Sequence, residues 1–169
     1  MNAAEQQALS AWWTQHMGPL QAPLQFMPLT GGQSNPTYRV SSGGQQWVLR
    51  SQPGGALLAS AHAVDREYRV MQALADTDVP VPRMRALCTD ASVIERSFYV
   101  MDFIDGRVFM DPRLPGMSVP ERAAIYAELQ RVAAAIHGVQ PEAVGLQGFG
   151  RPENYRARQL QRWTSQYRA

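Results

Sequence analysis

The sequence predicts an α+β fold: one small antiparallel sheet packed on a helix, followed by a helical region. Three observations carry this. Short β-prone runs at 24–29, 37–41, 46–50, 83–88 and 97–101 are bounded by turn residues. A strongly periodic helical pattern at 57–75 interrupts them, and beyond residue 118 helical patterns replace them. The 169 residues are one domain's worth of chain, or part of a larger domain, and enough to bury a real core.

Ala3 to Met17 reads as a helix with Leu9, Trp12, Trp13 and Met17 on one side, ended by Gly18-Pro19. Leu24 to Leu29 is the first strand and Thr37 to Ser41 the second. Gly43-Gly44 turns the chain into a third strand, Gln46 to Arg50, and Pro53-Gly54-Gly55 breaks it. From Leu57 to Ala75, the residues Ala61, Val64, Tyr68, Met71 and Leu74 recur at helical spacing. Val79-Pro80-Val81-Pro82 is extended, because a residue before proline is pushed out of the helical region. Arg83 to Cys88 and Ser97 to Met101 are two more strands, with a polar turn at 89–95 between them. Ser118-Val119-Pro120-Glu121 starts a helix with a cap, a first-turn proline and a glutamate three residues on. That helix runs to about His137 with Ile125, Leu129, Val132 and Ile136 on one face, and a basic, aromatic helix spans 152–168.

Composition excludes several function classes. A net charge of +2 is too small to argue for nucleic acid or an acidic membrane surface. All 16 basic residues are arginine, so a Walker-type phosphate loop and Schiff-base chemistry are both excluded. The single cysteine, Cys88, permits no intrachain disulfide and fits a reducing compartment. The N-terminal stretch lacks a basic run and does not read as a signal peptide, and no apolar run approaches a membrane span. A cytoplasmic location is the expectation.

Four features stand in a definite order. Gly31, Gly32, Gln33, Ser34 and Asn35 form a glycine-rich turn whose backbone N–H groups could cradle an anion, though a plain hairpin turn explains those residues alone. Arg50 ends the third strand; it is a surface arginine or a fixed cation within reach of phosphates. Glu67 sits in a charged run on the next helix; it is solvated, or it orients that cation. Met101, Asp102 and Ile104 lie where the fifth strand runs into a linker, whose unpaired backbone groups could meet an adenine edge. Glycine loop, strand cation, helix glutamate and linker follow the small-lobe layout of the protein-kinase-like fold.

At this point the chain resembles the aminoglycoside phosphotransferase-like family, closest to the branch related to the kinase domain fused to acyl-CoA dehydrogenases. The stretches that carry the resemblance are GGQSNPTYRV (31–40), WVLRSQPGG (47–55), SAHAVDREYRVMQAL (60–74), VPVPR (79–83), FYVMDFIDGRV (98–108), ERAAIYAELQRVAAAIHGV (121–139) and GLQGFGRPENYRARQLQRW (145–163). They cover nearly the whole chain in the family's order.

The resemblance implies a nucleotide-binding small lobe at 1–104, a five-stranded antiparallel sheet plus helix, and the start of a helical large lobe at 105–169. It implies that residues 31–35 cover the phosphates of ATP (or GTP), that Arg50 pairs with Glu67, and that the Asp102 carbonyl and Ile104 N–H hold the adenine edge. The family's His-Gly-Asp catalytic loop, its following asparagine and its metal-binding aspartate are not found; His137-Gly138 is followed by Val139 and reads as a helix end. Mg²⁺ ligands are therefore expected outside this chain. The expectation is the N-terminal part of a phosphotransferase that moves the γ-phosphoryl group to a hydroxyl of an aminoglycoside-like or hydroxyacyl-CoA-like acceptor, inactive by itself. The alternative is a non-catalytic nucleotide-binding module or a remnant, with a dimer through the exposed lobe interface as a further expectation.

Overall fold

The computed structural model describes residues 1–29, 35–55, 63–150 and 153–168. They form two compact units, Met1–Gly138 and Val139–Ala169. In the first unit five strands make one antiparallel sheet: β1 (Gln25–Pro28), β2 (Thr37–Ser42), β3 (Gln45–Ser51), β4 (Met84–Cys88) and β5 (Phe98–Asp102), in the order β1-β2-β3-β5-β4. All five predicted strands are present within about one residue at each end. The β2–β3 turn needs glycine: Gly43 and Gly44 both have positive φ, and a Cβ on Gly43 would lie 2.5 Å from Gln21 Cβ.

Strand alternation gives the sheet two different faces. Val40, Leu49, Phe98 and Val100 point to one face, where α1 (Ala3–His16) covers them with Leu9, Trp12 and Trp13. Trp13 meets Trp47 edge-on at 5.0 Å and Trp12 meets Phe98 at 4.8 Å. A capping box starts α1: the Asn2 side chain accepts from the Glu5 N–H, and the Glu5 carboxylate accepts from the Asn2 N–H. On the opposite face lies α2 (Val64–Ala73), packed against β4 and β5. The helix predicted from Leu57 starts later, at Val64 with Ala63 as its N-cap, and ends at Ala73; residues 56–62, with Ala61, lie outside the described residues. Val64 is fully buried, and Tyr68, Met71 and Leu74 are partly buried on the same stripe.

The polar stretch at 89–95, expected as a turn, contains a short helix, α3 (Ala91–Ile94). The Asp90 side chain caps it by accepting from the Ser92 N–H, and Glu95 closes it in the left-handed conformation. The polar residues read as turn were the cap and the exit, with Ile94 buried between them. Just beyond, Arg96 donates to Glu5 at 2.6 Å and ties the start of α1 to the entry of β5.

The helix expected from Ser118 is α4 (Val119–Gly138), with the Ser118–Glu121 capping box in place. Its Arg131 donates to the Asp78 carbonyl before β4. Leu129 and Ile136 of its apolar stripe are exposed. The second unit holds α5 (Tyr155–Arg168), on which Leu160, Trp163 and Tyr167 are exposed. Among the described residues no helix is long and apolar enough to cross a membrane.

Two outcomes follow for stability. Trp13→Ala empties a buried site and should cost about 3–5 kcal/mol, read as a lowered urea midpoint. The Arg96 guanidinium, foremost, holds the Glu5 carboxyl below its usual range. Folding thus favours the ionised form, so this contribution is present above the ordinary carboxyl value and is lost as pH falls through the depressed one. Glu5→Gln should lower stability at pH 7 by about 1 kcal/mol and flatten the acid limb of a stability–pH curve measured by urea titration.

Candidate nucleotide site on the α2 face of the sheet

Strand register decides which side chains meet on the α2 face. Thr37 of β2 lies opposite Arg50 of β3, and Arg50 lies opposite Tyr99 of β5. Three polar side chains from three strands therefore stand in one row across the sheet. Glu67, one turn into α2, comes down onto that row.

The Glu67 carboxylate collects four hydrogen bonds. Oε2 accepts from Arg50 Nε at 2.8 Å and from the Tyr99 hydroxyl at 3.0 Å. Oε1 accepts from Asn35 Nδ2 at 3.0 Å and from Arg50 Nη2 at 3.4 Å. Arg50 Nη1 reaches the other way, to Thr37 Oγ1 at 2.9 Å and, more distantly, to the Asn35 carbonyl at 3.4 Å. Four of the five guanidinium hydrogens are thus engaged, and one Nη2 hydrogen has no partner among the described residues. The Arg50 side chain keeps 24% of its surface accessible. The result is a fixed, partly exposed cation at the inner end of the glycine-rich stretch.

The pairing of Arg50 with Glu67 raises the Arg50 pKa above its already high value. Burial, and then the nearby Glu67 charge, push the Tyr99 phenol far above its ordinary 10. Tyr99 is therefore a protonated donor at any physiological pH, which is the form that supports the carboxylate.

Gly31, Gly32, Gln33 and Ser34 lie outside the described residues. Asn35, grouped with them in sequence, is 2% exposed, and its side chain turns to Glu67. Its backbone carbonyl also accepts from the Thr37 hydroxyl at 3.0 Å, so Asn35 anchors the inner end of the loop. Met101 and Asp102 end β5, and Ile104 follows two residues on, 65% exposed. Phe103 between them lies beneath the Arg39 guanidinium, 5.8 Å from the ring centroid, so β2 reaches over the linker. Asp102 is held from the β4 side: its N–H donates to the Arg83 carbonyl at 2.9 Å and its carboxylate accepts from Arg85 at 2.5 and 3.0 Å.

Sequence reasoning found the cation and its acid but missed Thr37 and Tyr99. Tyr99 sits in Phe98-Tyr99-Val100, a run that reads as apolar strand. Only the alternation of that strand, combined with its register against Arg50, shows that the hydroxyl faces α2.

Residues 25–169 match the phosphotransferase enzyme family. The chain belongs to that family. A solved structure from Ralstonia eutropha, provisionally described as an aminoglycoside phosphotransferase, is 51% identical, with a TM-score of 0.78 over 96% of this chain and 46% of that one. An aminoglycoside phosphotransferase solved in a ternary complex with AMP-PNP and hygromycin B shares the fold, with a TM-score of 0.53 and 15% identity over 80% of this chain and 40% of that one. Mouse acyl-CoA dehydrogenase family member 10 is 46% identical over 87% of this chain and 14% of the relative. Human acyl-CoA dehydrogenase family member 11 is 38% identical over 98% of this chain and 22% of the relative. The chain thus spans less than a quarter of the length of these curated relatives and about half of the Ralstonia phosphotransferase structure. The five-stranded sheet with its helix is the small lobe of this phosphotransferase fold, as the resemblance implied.

The network makes Glu67 the costliest residue of the site to remove. Glu67→Ala should destabilise the chain by about 2–3 kcal/mol, because it strands the buried Tyr99 hydroxyl and removes the carboxylate that pairs with Arg50. Tyr99→Phe should cost only about 1 kcal/mol, since Arg50 and Asn35 still satisfy the carboxylate. Chemical denaturation of both variants reads the difference. Ultraviolet titration of the intact chain should show one tyrosine resisting ionisation until unfolding, and Tyr99→Phe should remove that component.

Proposed function

We propose that this chain is the nucleotide-binding part of an ATP-dependent small-molecule phosphotransferase, and that the complete protein transfers the γ-phosphoryl group to a hydroxyl. The observation that carries the reading is the Arg50–Glu67 pair beside the glycine-rich stretch. A strand cation pinned by a helix carboxylate is what a phosphate-binding site needs if its charge is not to wander. Family membership supports it, as does the AMP-PNP bound by a protein of the same fold.

In this reading residues 1–104 are the nucleotide lobe, and 105–169 are the exit from the linker and the opening of the helical lobe. Gly31 to Ser34 cover the phosphates, Arg50 neutralises them, and Asn35 fixes where that stretch ends. The Asp102 carbonyl and the Ile104 N–H take the adenine edge, with Met101 beside them. ATP (or GTP) when bound supplies the phosphoryl group.

Metal chemistry stands apart from these residues. Among the described residues no group of three His, Cys, Asp or Glu side chains could hold an ion, so Mg²⁺ ligands are not assigned here. His137, the one His-Gly pair of the chain, lies in the last turn of α4 and is followed by Val139, so it is no candidate for the base that takes the hydroxyl proton. The relatives' names make an acyl-CoA-like hydroxyl acceptor the first class to try, with an aminoglycoside as the second.

Two measurements test this. The purified chain should bind MgATP weakly, and Arg50→Ala should weaken that binding roughly tenfold or more, as expected for hydrogen bonds to a charged group. Unchanged affinity would remove Arg50 from the phosphate site. The chain alone should transfer no phosphate to either acceptor class; turnover above a contaminant control would overturn the division of labour proposed here.

A further inference from the structure

We propose that Arg85 is a positioning residue of the base-binding edge: by gripping Asp102 with two hydrogen bonds, it fixes the linker residues that read the adenine. The inference rests on the nucleotide reading above and adds to it a residue that reading does not use.

The argument starts from an irregularity in the sheet. Along β4 and β5, Cys88 lies opposite Phe98, Leu87 opposite Tyr99 and Ala86 opposite Val100. Regular pairing would then place Arg85 opposite Met101, on the α2 face. Instead Met84 lies opposite Met101, and Arg85 is the extra residue of a bulge. A bulge re-aims a side chain and increases local twist, and bulges recur next to functional sites. Here it turns Arg85 away from Met101 and toward the face that carries Val100 and Asp102.

The contact that results is specific. Arg85 Nε donates to Asp102 Oδ1 at 2.5 Å and Nη2 donates to Oδ2 at 3.0 Å, a fork on both carboxylate oxygens. Asp102 is the last residue of β5. Its N–H is already held by the Arg83 carbonyl, and on its other side it pairs with Trp47. The side-chain grip removes the last freedom of the residue from which the linker departs. An ordinary surface ion pair contributes little to stability. One placed at the strand end that supplies a backbone acceptor to a ligand acts on binding instead, by holding that acceptor in place before the ligand arrives.

The experiment compares two probes on the same 169-residue chain, MgATP and magnesium tripolyphosphate, followed by ligand-observed NMR titration. Tripolyphosphate reads the Arg50 side of the site; only ATP also reads the base edge. Arg85→Ala should weaken ATP by about fivefold, the ceiling set by a part-exposed ion pair, and leave tripolyphosphate unchanged. Arg85→Lys keeps the charge but not the fork and should recover little of the loss. Asp102→Ala should match Arg85→Ala, and the double variant should be no worse than either. Thermal melts of each variant check that the fold persists. An unchanged ATP affinity in Arg85→Ala overturns the proposal, as does an equal loss for both probes. Binding of neither probe by the unaltered chain overturns the nucleotide reading, and this proposal with it.

Discussion

Glu67 is the point at which four segments of the small lobe converge. Its carboxylate takes donors from β3, β5 and Asn35, two residues before β2, while its own backbone belongs to α2. A charged carboxylate leaves water only if its lone pairs are filled, and here donors fill them on both oxygens. The arrangement is therefore mutual. Arg50 needs Glu67 to stay in one rotamer, and Glu67 needs Arg50, Tyr99 and Asn35 to fill the lone pairs of its half-buried carboxylate. Displacing Glu67 leaves the Tyr99 hydroxyl and two Arg50 hydrogens unmet, which is why the position of α2 over the sheet is coupled to the position of the strand cation.

The two faces of the sheet differ in kind, one apolar and one polar. On the α1 side the contacts are apolar and aromatic, and Leu9, Trp13, Leu49 and Phe98 sit in the core with almost no exposure. Such packing is insensitive to ligand and to pH. On the α2 side a polar row crosses β2, β3 and β5. Because side chains alternate along each strand, one apolar residue in the core is followed by one polar residue in the row: Leu49 then Arg50, Phe98 then Tyr99. The core positions set the register that aligns the row. The apolar face thus aims the polar one without contributing an atom to it.

This explains what was legible in the sequence and what was not. Strands, the periodic helix and the cap at Ser118 rest on local signals; the strands and the cap were read within a residue or two, whereas the periodic helix was started at Leu57 and begins at Val64. Arg50 was legible because a charge that ends an apolar run is conspicuous; Glu67, inside a charged run, stood out only by its place after the strand cation. Thr37 and Tyr99 were not, because their role comes from sitting opposite Arg50, and pairing partners are chosen over long sequence distances. Asn35 was read with the glycines as part of the loop, yet its side chain turns inward to the carboxylate; sequence adjacency does not tell which way a short polar side chain points. The bulge at Arg85 left no local mark at all. The α3 helix was hidden for a different reason: its four residues are too few to show a period, and its cap and exit both look like turn.

Why arginine stands at position 50 follows from the same geometry. Its guanidinium spans from Glu67 on α2 to Thr37 and the Asn35 carbonyl on the β2 side, bonding in two directions at once. A lysine ammonium at the end of a flexible stem is a compact point charge and could pair with Glu67 or lean toward Thr37, but could not hold both in one plane. The arginine thus serves as a brace between the helix and the root of the glycine-rich stretch as well as a positive charge. The brace also limits it: four of its five guanidinium hydrogens are engaged among the described residues, so Arg50 keeps its charge in place but has one Nη2 hydrogen left to offer there. The geometry trades reach for fixed position.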